Sequence, residues 1–136
     1  MDDHFIIERQ APLNGAQIEQ LRVAVGWDQM PGFYDRILAK SYTHFSVCNN
    51  EALIAFVNVI SDGIGDAFLL DLMVHPDYQA QGLGQAIVKY AIQSLKVDGI
   101  RAIEVIFDDH LLPFYRSCGF HIMRSGIIDT WIEKGK

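Results

Sequence analysis

The longest amphipathic pattern in the chain starts at Leu83. Its apolar positions recur every three or four residues with polar positions between them, which is typical of a helix with one buried face. Asp98-Gly99 follows the last apolar position, and a glycine there predicts the helix end. The apolar stripe consists of Ile87, Val88, Ala91, Ile92 and Leu95.

Shorter helical patterns flank this one. Asn14 and Gln17 have the spacing of a capping box, in which two residues at a helix start bond to each other's backbone. The positions that follow at helical spacing are Ile18, Leu21, Arg22 and Val25. A second short helix is predicted over residues 32–40, and another over residues 113–117, where proline suits the first turn.

Runs of β-branched and aromatic residues predict the strands. The runs at 45–48 and 52–60 flank Asn49-Asn50-Glu51 and read as a hairpin, and residues 67–75 are nearly all apolar, as in a strand covered on both faces. Further strands are predicted at Phe5 to Glu8, Ile100 to Phe107, Phe120 to Met123 and Ile127 to Ile132. The order predicts an α/β fold: a mostly antiparallel central sheet layered with helices, in a single domain over residues 1–136.

Composition and charge argue against several classes of function. The chain has 136 residues, half of them apolar, and a net charge of −6, so it lacks the basic surface that nucleic acid or an anionic membrane requires. No apolar run approaches the ~18–20 residues of a membrane span, and Met1-Asp2-Asp3-His4 is acidic where a secretory signal would be basic. Two cysteines form no disulfide framework. We expect a soluble, cytoplasmic protein.

The chemistry centres on residues 70–84, where a buried strand, a proline, a polar loop and two glycines lead into the long helix. Such a loop directs backbone N–H groups and the positive end of a helix dipole at one point, and Gly82 and Gly84 allow close approach. The pattern favours an anion site, most naturally for a pyrophosphate. It matches neither the dinucleotide fingerprint nor the P-loop, and glycines that merely permit a tight turn are the structural alternative.

Val74-x-Pro76 followed by Gln79-x-x-Gly82-x-Gly84 resembles the acetyl-coenzyme A motif of the GNAT superfamily of N-acetyltransferases. The family's next landmark is similar to residues 108–120, although Asp108 stands where the family has Asn and Leu111 where it has Ala. The resemblance implies the mixed, mostly antiparallel GNAT-like sheet and acetyl-CoA as acetyl donor. Within the superfamily, the residue pattern of this sequence most resembles that of the small aralkylamine acetyltransferase-like branch.

The resemblance also implies roles for individual residues. Tyr115 corresponds to a tyrosine that protonates the leaving thiolate, with packing behind Phe114 and Phe120 as the alternative. The strand residues before the loop would pair with the pantetheine arm through their backbone. The implied cofactor-binding residues are Leu72, Met73, Val74, Gln79, Ala80, Gln81, Gly82, Leu83, Gly84, Gln85 and Asp108.

Asp71 is a carboxylate within an otherwise apolar strand, where a buried charge without a partner is costly. It is predicted to be either a catalytic base that acts through water, or a structural acid paired with Arg or capping a loop. Both readings stay open at this point. An amine acceptor has a pKa of ~10 and is therefore protonated at neutral pH, so it needs such a base to become a nucleophile.

The other reactive side chains are predicted to have structural or surface roles. Cys118 is interpreted as a packing residue, and His75 and His110 as surface histidines. No metal spacing is present. The acceptor pocket is expected to come from the first third of the chain, which contains Trp27, Met30, Phe33 and Tyr34. Aromatic residues together with acids would suit a cationic small-molecule amine, and the acids are Asp28, Asp35, Asp62 and Asp66.

The predicted activity is transfer of acetyl from acetyl-CoA to a small primary amine. The alternatives are a protein or peptide acetyltransferase and a catalytically idle acyl-CoA-binding module. A homodimer that pairs the apolar segment Ile127 to Ile132 across subunits is a further hypothesis.

Overall fold

The computed structural model describes residues 5–134 and divides them into two compact units that meet in sequence at Val105 and Ile106. The acidic N-terminal tetrad that bears on the secretory-signal prediction lies outside the described residues. The predicted GNAT-like mixed α/β fold is confirmed.

The first unit contains one five-stranded sheet in the order β1-β2-β3-β4-β5. Neighbouring strands run antiparallel except β4 and β5, which run parallel. The strands are β1 (Glu8–Arg9), β2 (Thr43–Asn49), β3 (Ala52–Ser61), β4 (Asp66–Val74) and β5 (Ala102–Glu104). Helices α1 (Gly15–Ala24) and α2 (Phe33–Leu38) separate β1 from β2, and α3 (Leu83–Val97) connects β4 to β5.

The predicted helix start at Asn14 is confirmed. The Asn14 side chain accepts from the Gln17 backbone N–H at 2.9 Å, and the Gln17 side chain accepts from the Asn14 N–H at 3.0 Å. These bonds satisfy two of the orphan donors at the helix start. The inward face of α1 then packs into an apolar cluster with α2, β3 and β4: Ile18, Leu21, Tyr34, Leu53, Phe56 and Met73.

The predicted stripe of α3 faces inward, with Ile87, Val88, Ala91 and Leu95 buried. The helix ends before Gly99, whose φ of 87° suits glycine. Asp98 beside it accepts from Arg9 Nη2 of β1 at 2.8 Å and from the Tyr42 hydroxyl at 2.7 Å. These contacts hold the C-terminal end of α3 beside β1, at the edge of the sheet. They thereby help to fix the position of its N-terminal end, which follows β4 in the chain.

Two of the predicted strands need adjustment at their ends. The hairpin between β2 and β3 is confirmed, with Asn50 in the left-handed region at φ 58°. The first strand is Glu8–Arg9 and not Phe5 to Glu8, and the strand predicted over Ile100 to Phe107 is only Ala102–Glu104. Each of these short strands pairs with only part of its longer neighbour, and local composition does not reveal where that pairing stops.

The second unit begins at Ile106 and contains a 3-10 turn (Asp109–Leu111), α4 (Leu112–Ser117) and α5 (Thr130–Lys134). The strands predicted at Phe120 to Met123 and Ile127 to Ile132 are wrong: residues 121–129 have no regular secondary structure, and α5 takes the end of the second segment. The large apolar side chains there are 42–80% exposed. Isoleucine favours strands only where a neighbouring edge accepts its backbone bonds.

Within residues 5–134, no helix is both long and apolar enough to cross a membrane.

Candidate functional site

The parallel partner of β4 stops early. Among the described residues, β5 pairs with β4 only at Asp66, Ala67 and Phe68. The rest of β4 keeps its antiparallel bonds to β3 on the other side as far as Val74. An edge of backbone N–H and C=O groups is thereby left along the second half of β4, and such an edge accepts an extended amide-containing chain as an added strand.

A bulge interrupts β4 at Asp71. Asn58 of β3 lies opposite Leu70, and Phe56 lies opposite Met73, so two steps on β3 match three on β4. Asp71 has φ 56°, in the left-handed region that aspartate and asparagine enter more readily than other non-glycine residues. Bulges redirect a side chain from the regular alternation of the strand.

The loop after β4 is shaped by side-chain contacts to its own backbone. His75 caps a 3-10 turn over Pro76–Tyr78 by accepting from the Asp77 N–H at 3.1 Å. Gln79 Nε2 donates to the Val74 carbonyl at 2.8 Å, so the predicted pyrophosphate residue Gln79 braces the loop. Ala80 and Gly82 follow with φ 62° and 83°.

Two left-handed residues so close together curl the backbone at the start of α3, and Gly82 is the helix N-cap with no side-chain cap. The first amides of a helix have no carbonyl one turn earlier to bond to, and the dipole there favours negative charge. A curled loop that ends in a helix N-terminus can hold a pyrophosphate through backbone N–H groups. The residues present therefore fit the implied acetyl-CoA.

The side chain of Asp71 is half-buried among apolar residues and lies near Arg22 and Tyr34. Burial raises the pKa of Asp71 above the ordinary 3.8, while the Arg22 charge and hydrogen bonding with Tyr34 lower it in part. Burial and the Asp71 charge raise the pKa of Tyr34 to about 12. Arg22 supplies a nearby positive charge, as the structural interpretation expects, and the raised pKa of the Asp71 carboxyl suits a base.

Asp98 provides a comparison, because it also contacts an arginine and a tyrosine. Hydrogen bonds from Arg9 and Tyr42 lower the pKa of Asp98, which lies at the surface. Asp98 accepts direct hydrogen bonds from its arginine and its tyrosine, whereas burial is the largest influence on Asp71, so the two pKa values move in opposite directions. Sequence alone could not distinguish these two acids.

Tyr115 lies in the second unit, on α4, and is 8% exposed. Its ring stacks on Phe107 at 4.6 Å between centroids and meets Phe114 and Phe120 edge-on. Burial, with a smaller contribution from Cys118, raises the pKa of Tyr115 above 10. The hydroxyl is therefore protonated at neutral pH, as a proton donor must be.

The remaining candidates are placed as follows. Asp108 is exposed and caps the 3-10 turn that begins at Asp109, without a side-chain cap bond. His110 is exposed, Cys118 is buried on the tyrosine-bearing segment, and His75 serves the loop cap described above.

The aromatic and acidic residues predicted for an amine have structural partners in the first unit. Trp27 is 39% exposed, with the Arg22 guanidinium carbon 5.2 Å from its ring centroid. Asp35 accepts from the Gly15 N–H at 2.7 Å, and Asp62 accepts from the turn amides of Ile64 and Gly65. Asp66 pairs with Arg101 at 3.2 Å. Asp35, Asp62 and Asp66 are engaged in these contacts, and Asp71 differs from them in that burial raises its pKa.

Arg22 and Tyr34 are the functional candidates whose pairing with Asp71 the sequence did not reveal. A signal was present, since Arg22 occupies the same helical face as Ile18 and Leu21. An arginine among inward positions indicates a buried or half-buried acid as partner. Among residues 5–134, no group of three or more His, Cys, Asp or Glu side chains is arranged to hold a metal ion.

Comparisons with known proteins agree with this geometry. An uncharacterized N-acetyltransferase ycf52-like of Prochlorococcus marinus is 29% identical over 90% of this chain and 71% of its own length. Histone acetyltransferase TAP1 of Glycine max is 36% identical over 55% of this chain and 32% of its own length, so this chain spans only part of these relatives. A GNAT family acetyltransferase of Streptococcus pneumoniae superposes with a TM-score of 0.74 at 26% identity, covering 91% of this chain and 96% of that one. The model of the Acetyltransferase (GNAT) family matches residues 9–120, and the chain belongs to that family.

Proposed function

We propose that the protein transfers acetyl from acetyl-CoA to a primary amine of a small molecule. The observation that carries the proposal is the continuous path in the first unit from the open edge of β4 to the curled loop at the start of α3. An edge that accepts amides leads directly to a site for a pyrophosphate, in the order that the pantetheine arm and pyrophosphate of coenzyme A require.

The reaction assigns one task to each candidate. Asp71, acting through water, takes one proton from the ammonium group, and the neutral nitrogen then forms a bond to the thioester carbon and releases its surplus proton to water. The carbon–sulfur bond breaks, and the electron pair stays on sulfur. Tyr115 gives its proton to that thiolate and is reprotonated by solvent.

The small-amine acceptor is supported by charge. The chain carries −6, and the acid at the bulge lies within an apolar surround that also contains aromatic residues. A cationic amine is attracted by such a field. The residue pattern resembles that of the aralkylamine branch, so we propose arylalkylamines as the first acceptors to test.

A protein acceptor is the second candidate, because one relative is named a histone acetyltransferase. The deciding experiment measures thiol release from acetyl-CoA with arylalkylamines, polyamines, aminoglycosides and lysine peptides at equal concentration. Higher kcat/KM on a small amine than on every peptide supports the proposal, and the reverse order assigns a protein acceptor. Binding of acetyl-CoA without turnover on any member of the panel identifies an idle binding module.

Gly82→Asp tests the placement of the pyrophosphate. We expect acetyl-CoA affinity about tenfold or more below that of Gly82→Asn, because a unit charge ~4–5 Å from the pyrophosphate costs about 1–4 kcal/mol at an effective dielectric of 80 to 20. Asparagine is the matched control, since Asp and Asn both tolerate the left-handed backbone at φ 83°. Titration calorimetry measures both affinities. Equal affinity in the two variants would place the pyrophosphate elsewhere.

A further inference from the structure

Arg22 lies in the last turn of α1, and its guanidinium makes three contacts. Nη1 donates to the Tyr34 hydroxyl oxygen at 3.0 Å, and Nε donates to the Asp28 backbone carbonyl at 2.6 Å. The guanidinium also lies over the ring of Trp27. Trp27 and Asp28 belong to the interhelical loop (residues 25–32), and Tyr34 belongs to α2. A single side chain therefore joins α1, the interhelical loop and α2.

Glu19, one turn earlier on α1, holds the same loop at a second point. Its Oε2 accepts from the Met30 N–H at 2.8 Å. Its other oxygen, Oε1, is buried with no hydrogen-bond partner among the described residues. The bond to Met30 therefore fixes this carboxylate, and the interhelical loop is tied to α1 near both of its ends.

The donor and acceptor in each of these hydrogen bonds are fixed by the chemistry of the side chains. A guanidinium only donates, and an ionised carboxylate only accepts. Tyr34 accepts from Arg22 and also interacts with the Asp71 carboxylate, whose ionised form it favours. Tyr34 is 1% exposed and packs edge-on to Phe56, so its ring has little freedom to turn away. The hydrogen bond runs from Arg22 to Tyr34, and the Asp71 carboxylate interacts electrostatically with both residues.

We propose that Arg22 and Tyr34 are positioning residues that bind the interhelical loop and the Asp71 carboxylate into one unit. The inference rests on the proposed function, in which Asp71 is the base. Tyr34 favours the ionised form of the carboxylate, which is the form that a base requires. Any acceptor that moves the interhelical loop also moves the partner of the base.

The groups that act on Asp71 come from two elements, Arg22 from α1 and Tyr34 from α2. The strands packed against it contribute Phe56 and Met73 to the apolar cluster, and these carry no charge. Removing the Tyr34 hydroxyl therefore takes away one of two influences that favour the ionised carboxylate, and the pKa of Asp71 must rise.

The test is Tyr34→Phe in the full chain, with the Asp71 carboxyl titrated by carbon-13 NMR and kcat/KM measured across pH. We expect the Asp71 titration and the acid limb of kcat/KM to move together to higher pH. We also expect kcat/KM to fall on the order of tenfold, as when partners that orient a reactive group are removed, with acetyl-CoA affinity unchanged. Tyr42→Phe is the matched control, because it removes a tyrosine hydroxyl from Asp98 instead.

Arg22→Gln provides a second variant, since Arg22 is outside the apolar cluster and its loss spares the core. It should shift the Asp71 titration in the same direction and raise the KM for the acceptor, because the interhelical loop loses the Asp28 bond. An Asp71 titration unchanged in both variants overturns the proposal, even if melting temperatures fall. A shifted titration in a protein that transfers no acetyl would leave the pairing standing and reject the proposed function.

Discussion

Tyr115→Phe should lower kcat by about 10²–10⁴-fold, the usual contribution of a general acid, with little change in acetyl-CoA affinity. Phenylalanine keeps the ring that stacks on Phe107 and meets Phe114 and Phe120, so the substitution removes only the hydroxyl. A tyrosine that serves only as packing would tolerate the change. Steady-state kinetics on the purified variant distinguishes the two roles.

The control for Tyr115 is Tyr90→Phe, which makes the same chemical change on the exposed side of α3. It should leave kcat within about twofold, as surface changes usually do. Single-turnover measurement of acetyl transfer is needed as well, because product release can limit kcat and hide a slower chemical step. A loss below about threefold in the single-turnover rate would return Tyr115 to a packing role.

Asp71→Asn should lower kcat/KM by about 10²–10⁴-fold and remove its acid limb. Activity in the wild type requires the ionised carboxylate, so it falls as pH falls through the pKa of Asp71. Because burial raises that pKa, the limb lies above the ordinary aspartate range. Asparagine suits the left-handed φ of 56° and can still accept from Tyr34, so the bulge is retained. Rate against pH for both proteins is the measurement.

Asp98→Asn is the matched control, since Asp98 also contacts an arginine and a tyrosine but lies at the surface. It should reduce stability modestly and leave the acid limb in place. If Asp71→Asn keeps its activity and its acid limb, Asp71 is the structural acid, and the amine proton leaves by another route.

Local patterns were sufficient wherever neighbours in sequence decide the outcome. The capping box of Asn14 and Gln17 needs only three residues of separation. The buried stripe of α3 follows from a repeat that any amphipathic helix shares. The glycine-containing loop that leads into α3 was also predictable, because its glycines and the following helix stand together in the chain. That it curls at Ala80, and that Gln79 braces it, became apparent only in the structure.

The strands beyond Phe107 show where local pattern fails. Residues 120–123 and 127–132 have strand-forming composition, but a strand needs a neighbouring edge along its length. In the part of the chain that the structure describes, the sheet ends at β5, which has three residues. Composition indicates that a segment favours the strand conformation. Whether the strand forms is decided by pairing with a segment that is distant in sequence.

The sequence by itself predicted the fold class, the order of helices and strands as far as α4, the glycine-containing loop before α3, and Asp71 and Tyr115 as candidates. Only the tertiary structure revealed the surroundings of Asp71. Its left-handed backbone arises from a register shift against β3, and its partners Arg22 and Tyr34 come from 49 and 37 residues away in sequence. A carboxylate's pKa depends on burial and nearby charge, and both are properties of three-dimensional packing that no local pattern encodes.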